Sequence, residues 1–256
     1  KALNVNLSDI AAMGGRPLHA LVGLALPGTV EAKWLDDFMA GFRSAAHQAD
    51  VALIGGDLSG AEKVMISVTV TGSVKFPVKR SGARPGDSIY VSGTLGDAAG
   101  GLRLVEKGGV SGVVKAVRPL VKAFLDPSPR LELGACLAEG RLASAMIDLS
   151  DGLSVDLGHI CEESRVGAEV EAPLVPISAA LDCLARDPLA MALNGGEDYE
   201  LLFMVRPAKR AAVEALAERF GLTRIGLITS GRRMVLVGPG KKRRPLKARG
   251  FEHFSG

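Results

Sequence analysis

The stretch Ala145-Met146-Ile147-Asp148-Leu149-Ser150-Asp151-Gly152-Leu153 decides how this chain is read. Three apolar residues of strand type run into two carboxylates and a hydroxyl on a short turn, and helical spacing resumes from Leu153 to Glu163. Gly152 permits close backbone approach. Two acids at a strand-to-helix turn can hold a cation, while free turn amides could meet a phosphate. The competing reading is a capping box, which the D-x-S-D-G spacing fits less well.

Working outward from the turn, the pattern alternates strand and helix. Upstream, Ser88–Val91 reads as a strand, followed by the glycine-rich Gly93–Gly101 leading into a helix. Downstream, strands are expected around Ala168–Val170 and Tyr199–Val205, one Ala-rich helix over Pro207–Phe220, and two short strands within Arg224–Val237. Before the turn-rich Lys79–Asp87 segment the order is different. A short helix with Ser8 as N-cap puts Asp9 at its start, His19–Leu26 is β-type, Glu31–Ala49 is helical, Val51–Ile54 is a short strand leaving Asp57 just past its end, and Val64–Val74 is another strand. A boundary is therefore expected near residue 79, dividing the chain into 1–78 and 79–256.

The 256 residues, 47% apolar and 23% charged, suffice for a large buried core. The net charge of +3 includes the local run Lys241–Arg244, so no basic face for nucleic acid is implied. Three widely spaced cysteines without a C-x-x-C pair argue against a disulfide framework or zinc knuckle and fit the cytoplasm. No apolar run approaches about 18 residues, so no membrane span is expected. The chain opens at Lys1 directly on a structured-looking segment, from which an upstream portion is expected to be missing.

Asp9, Asp57, Asp148 and Asp151 share one placement, at strand ends or helix starts beside small residues. Hard carboxylate oxygens without His or Cys suit Mg²⁺-nucleotide chemistry, although aspartate at such places is commonly a cap. Gly55-Gly56-Asp57 repeats this logic more weakly. Arg80 could bridge phosphate oxygens or be a solvated linker residue. The Gly93–Gly101 loop lacks the Lys-Ser/Thr of a P-loop, and tight helix packing explains it as well as phosphate contact does. Glu197, in Asn194-Gly195-Gly196-Glu197-Asp198-Tyr199-Glu200, could face a cationic ligand or simply solvate a turn. No histidine stands in a catalytic-triad or metal-ligand spacing.

Taken in order, Asn6–Gly14, Gly55–Asp57, Arg80–Asp87, Gly93–Asp97, Ile147–Leu153 and Gly195–Leu201 resemble the thiamine-monophosphate kinases, within the superfamily of aminoimidazole ribonucleotide synthetase and selenophosphate synthetase. The resemblance implies a two-domain α/β (α+β) fold like aminoimidazole ribonucleotide synthetase: an N-terminal sheet domain that pairs in a homodimer, and a larger C-terminal α/β domain. It implies ATP-dependent phosphorylation of thiamine monophosphate to thiamine diphosphate with several Mg²⁺ ions. Asp9, Asp57, Asp148 and Asp151 would bind metal, Gly56, Asp57, Arg80 and Ser150 would contact ATP, and Glu197 and Phe251 would meet the substrate. Leu58-Ser59 stands where the family often has Thr-Thr, and the family's acidic, glycine-containing upstream segment precedes anything present here. The rival expectations are another ATP-using synthetase of the superfamily and a non-catalytic nucleotide-binding dimer module.

Overall fold

A computed structural model describes residues 1–108 and 114–250. In chain order its elements are α1 (Ala2–Ala12), β1 (Arg16–Leu26), α2 (Ala32–Gln48), β2 (Ala52–Gly60), β3 (Met65–Ser73), β4 (Ser88–Ser92), α3 (Asp97–Gly108), α4 (Arg118–Leu125), α5 (Leu131–Glu139) and β5 (Ala145–Asp148). Then follow α6 (Leu153–Ser164), β6 (Gly167–Glu171), α7 (Ala179–Leu184), α8 (Pro188–Asn194), β7 (Leu201–Val205), α9 (Arg210–Glu214), α10 (Ala217–Phe220), β8 (Leu222–Thr229), β9 (Met234–Val237) and β10 (Arg243–Pro245). The strands form two sheets, one ordered β2-β1-β3 and one ordered β10-β9-β6-β8-β4-β7-β5.

Period-2 alternation partitions the larger sheet between two cores. Ile89 and Val91 of β4, Ala145 and Ile147 of β5, and Leu202 and Met204 of β7 face α6 and one cluster. Their neighbours Tyr90, Met146 and Phe203 face the opposite cluster with α5 and the end of α1. Burial on both faces explains why β7 is an unbroken apolar run rather than an alternating one. In the small sheet, Ala20, Val22 and Leu24 face α1 and α2, where Phe42 and Ala46 are buried. Among the described residues the other face is uncovered: Leu21 and Met65 are exposed there, as is Ile54 on the edge strand.

Helix α1 joins the two halves. Leu3 and Leu7 lie in the small sheet's core, whereas Ala11 and Ala12 lie in the larger sheet's second core. The crossing with α5 is close enough that a Cβ on Gly134 would stand 2.1 Å from the Ala11 carbonyl oxygen.

The structure changes three expectations. Ser8 is no N-cap: α1 begins at Ala2, Ser8 is buried within it, and Asp9 sits near its end, because the Leu3/Leu7/Ala11 spacing carries one helix through the polar residues. Asp57 is inside β2, since a bulge at Gly55 (φ 156°) absorbs the glycine pair and pairing with β1 continues to Gly60. The Pro207–Phe220 helix divides at Ala215-Leu216, whose ψ values of −19° and −8° tighten the backbone toward 3-10 geometry.

Candidate functional site

The turn after β5 is built by a neighbouring segment. The amides of Glu197 and Tyr199 donate to the carbonyls of Ser150 and Leu149 at 2.8 and 2.9 Å, and the Leu149 amide donates to Glu200 at 2.9 Å. This second segment is bent sharply: Glu197 and Tyr199 have φ of 70° and 51°, a left-handed region that costs non-glycine residues energy and recurs at functional sites. The bend keeps Tyr199 out of β7, which starts at Leu201 rather than at the expected Tyr199. It also sends residues 197 and 199 one way and Asp198 the other. Asp198 accepts hydrogen bonds from the Gly96 and Ala98 amides at 2.7 and 3.3 Å. The glycine-rich loop is thereby explained as packing, for a Cβ on Gly96 or Gly101 would lie 2.7 Å from the Ala192 amide nitrogen or 2.0 Å from the Leu120 carbonyl.

Around the turn, burial and neighbouring charge raise several acidic groups. Burial pushes Asp148 up to about 6; the Asp9 charge adds to this and Arg80 opposes it. Burial also raises Asp9, again against Arg80. Burial raises the Tyr199 phenol, as do the charges of Glu197, Asp148, Asp9 and Asp151. The Ser8 hydroxyl is near enough to Asp148 to offset part of its rise, yet it is fully buried without a hydrogen-bonding geometry to any partner among the described residues. Half-buried and buried carboxylates beside a buried hydroxyl form a donor set of hard oxygens suited to a cation such as Mg²⁺.

Six of the residues singled out from sequence, Asp9, Arg80, Asp148, Ser150, Asp151 and Glu197, thus gather around this turn. Glu197 meets a cation already, with Lys1 Nζ at 2.8 Å. Gly56 and Asp57 do not join them within the chain. Asp57 pairs with Gly23 on the small sheet's uncovered face and is not among the charges acting on Asp9 or Asp148. Gly56 has a structural reason of its own, since a Cβ there would stand 1.9 Å from the Val22 carbonyl oxygen. Phe251 lies outside the described residues; the described chain ends at Gly250, where a Cβ would stand 2.4 Å from the Asp151 carbonyl oxygen.

Three residues escaped the sequence reading. Tyr199 could have been found only by knowing that its backbone turns toward the acids. Asp156, in the first turn of α6, is 1% exposed and accepts from the amides of Asp151 and Gly152 at 3.1 and 3.0 Å. Burial first, then the Asp151 and Asp148 charges, push it up to about 7. Those two amides are therefore not free to meet a phosphate, contrary to expectation. His159, one helical turn beyond Asp156, brings a ligand atom within 4.8 Å of those of Asp151 and Asp156, so one histidine does reach a metal-competent arrangement. The signal for it was the i, i+3 spacing. A cavity of about 680 Å³, lined by Gly15, Asp50, Glu132, Cys136 and Leu216 among others, shares no residue with this turn. A smaller one of about 280 Å³, lined by Thr94, Asp97, Lys122, Arg130, Asp198 and Glu200, adjoins the bent segment.

Residues 1–74 match the family model for the AIR synthase related protein, N-terminal domain, and residues 84–238 that for its C-terminal domain. The thiamine-monophosphate kinase of Escherichia coli (strain K12) is 39% identical over 261 residues, a span covering 100% of this chain and 79% of the relative. The chain belongs to the thiamine-monophosphate kinase family. Among solved structures, the thiamine-monophosphate kinase of Stenotrophomonas maltophilia K279a is 43% identical, with TM-score 0.85 over 91% of this chain and 76% of the other. "AaThiL complexed with AMPPCP and TMP" is 33% identical, with TM-score 0.88 over 99% and 79%. The two-sheet α/β architecture is therefore the family's, and the acid-lined turn lies in a region matched throughout.

Proposed function

We propose that this chain transfers the γ-phosphoryl group of ATP to thiamine monophosphate, yielding thiamine diphosphate and ADP. The observation that carries this reading is the convergence of Asp9, Asp148 and Asp151 with Arg80 on the turn after β5, in a chain of this family. A terminal phosphate oxygen of the monophosphate attacks the γ-phosphorus, an oxygen–phosphorus bond forms, and the bond to the β-phosphate oxygen breaks. That attacking oxygen is already largely ionised at neutral pH, so no protein base is assigned. Arg80 is assigned to the triphosphate oxygens, which its fork of N–H donors could bridge, and the Ser150 hydroxyl is assigned to donate to them. Glu197, which here holds the Lys1 ammonium, is assigned to the cationic thiamine moiety.

Asp9, Asp148 and Asp151 would hold Mg²⁺. Bound there, the metal supplies charge neutralisation between two anionic phosphates that otherwise repel. Asp57 and Gly56 are retained as ATP and metal contacts only in a homodimer, which would add a second chain's surface to the site. Support for that assembly is the uncovered apolar sheet face around Leu21 and Met65, where a second copy would bury it. The same reading divides the chain into 1–78 and 79–256 and assigns Phe251 to the substrate. It also places the protein in the cytoplasm, supported by three cysteines that are all free thiols. Among the described residues no helix is long and apolar enough to cross a membrane.

The test is an ATP- and Mg²⁺-dependent assay for thiamine diphosphate, with free thiamine as control acceptor. Product from the monophosphate alone is expected, and Asp148→Asn or Asp151→Asn should abolish the Mg²⁺-dependent turnover. Turnover that survives either substitution with a shifted pH optimum would overturn the ligand assignment in favour of a base.

A further inference from the structure

The turn that carries Asp148, Ser150 and Asp151 is held in an unusual conformation by a residue outside it. Gly152 has φ 111° and ψ 151°, a region closed to L side chains, and it offers α6 no capping side chain. The Asp156 carboxylate does this work from inside the helix. Its Oδ2 accepts from the amides of Asp151 and Gly152 at 3.1 and 3.0 Å, reaching back four and five residues. At 1% exposure it has no ion-pair partner among the described residues. Burying a carboxylate without a cation is costly, and a neutral side chain would serve ordinary helix packing at this position. What the carboxylate gains is two hydrogen bonds from the two peptide groups that set the direction of the Asp151 side chain. The opposite side of the turn is fixed by the Glu197 and Tyr199 amides, so the turn is clamped between α6 and the bent segment.

We infer that Asp156 is a positioning residue for phosphoryl transfer: by fixing the amides of Asp151 and Gly152 it aims Asp148, Ser150 and Asp151 at the reacting phosphates without touching them itself. The inference rests on the function proposed above, but its geometric half can be tested without turnover. Asp156→Asn keeps an oxygen able to accept from both amides and removes the charge. Asp156→Ala removes both bonds.

The expected result is a split between these variants. Asp156→Ala should lose about 100-fold in kcat, the scale of a misplaced reacting group, and should raise the half-saturating Mg²⁺ concentration, with KM for thiamine monophosphate little changed. Asp156→Asn should restore most of both. In nucleotide-free, metal-free protein, amide hydrogen exchange across residues 148–153 should speed up about tenfold in Asp156→Ala and stay near wild type in Asp156→Asn. If the two variants are equally impaired in turnover while exchange separates them, Asp156 acts through its charge at the metal and the inference fails. If exchange is unchanged in Asp156→Ala, or Asp156→Ala lowers only the thermal midpoint with kcat intact, it fails as well. If wild type forms no thiamine diphosphate, the functional reading falls, and exchange alone then decides whether Asp156 holds the turn.

Discussion

Replacing Gly134 by alanine tests how α1 sets the site. On Gly134 a Cβ would lie 2.1 Å from the Ala11 carbonyl oxygen, 2.9 Å from its carbon and 3.2 Å from its Cα, all backbone atoms that no rotamer change can move. A tolerable carbon–oxygen contact is about 3.3 Å, so α1 and α5 must part by about 1.2 Å. Alanine in the helix interior gains about 1 kcal/mol over glycine, whereas overpacking of this kind costs about 1–3 kcal/mol. The parted crossing also loosens Ala11 and Ala12 against Leu133 and Leu137. The net, a loss of up to about 2 kcal/mol, should lower the unfolding midpoint by up to about 8 °C. Because Asp9 rides on α1 while Asp148 ends β5, the same displacement should reduce kcat/KM for the proposed kinase reaction by about 100-fold. Gly41→Ala is the control: nothing lies within 4 Å of a Cβ there, so the same change in α2 should stabilise by about 0.5–1 kcal/mol and leave turnover alone. Thermal scans and steady-state kinetics on the three proteins suffice. A Gly134→Ala protein with wild-type midpoint and turnover would refute the argument that this crossing positions Asp9.

Two further predictions concern the segment behind the site. Glu200 is buried, pairs with Arg130 and accepts from the Ser92 hydroxyl, so Glu200→Ala should cost about 2–3 kcal/mol in urea unfolding by stranding the guanidinium; a loss under about 0.5 kcal/mol would contradict the pair's role. The Asp198 carboxyl is half-buried against the glycine-rich loop, and burial pushes it up to about 8 despite the two amides it accepts from. An acid whose pKa is higher folded than unfolded binds more protons in the native state, so its contribution to stability falls as pH rises from about 4 to about 8. Denaturant titrations across that window should show a steeper decline for wild type than for Asp198→Asn, and parallel curves would refute it.

The local sequence carried a good deal of the architecture. Ser88–Val91, Ala145–Ile147 and, but for its first two residues, Tyr199–Val205 read as strands because residues buried on both faces leave an apolar record that needs no context. Asp148, Ser150 and Asp151 were legible together because they share one turn, and their spacing alone marks it. Asp9 was legible as a residue type but misread in place, since N-cap preference is local and the helix is set by Leu3 and Leu7 meeting a core that the sequence does not display. Asp57 illustrates the opposite limit. A Gly-Gly pair reads as a strand end, whereas β1 supplies hydrogen bonds that carry β2 past it and leave the aspartate on the far face from Asp9.

What the sequence by itself determined is therefore the set of chemistry-bearing residues and most of the elements that bear them, because propensity, periodicity and turn chemistry act over a few residues. What only the tertiary structure decided is their company. Asp9 comes near Asp148 because α1 packs on both sheets, Tyr199 faces the acids because two left-handed residues bend its segment, and Asp156 is a clamp because its carboxylate folds back on the turn. The first two outcomes depend on contacts between residues tens to more than a hundred positions apart, and the third on a short-range contact that matters because the rest of the fold buries the Asp156 carboxylate; no local pattern encodes which of these contacts the closed chain makes.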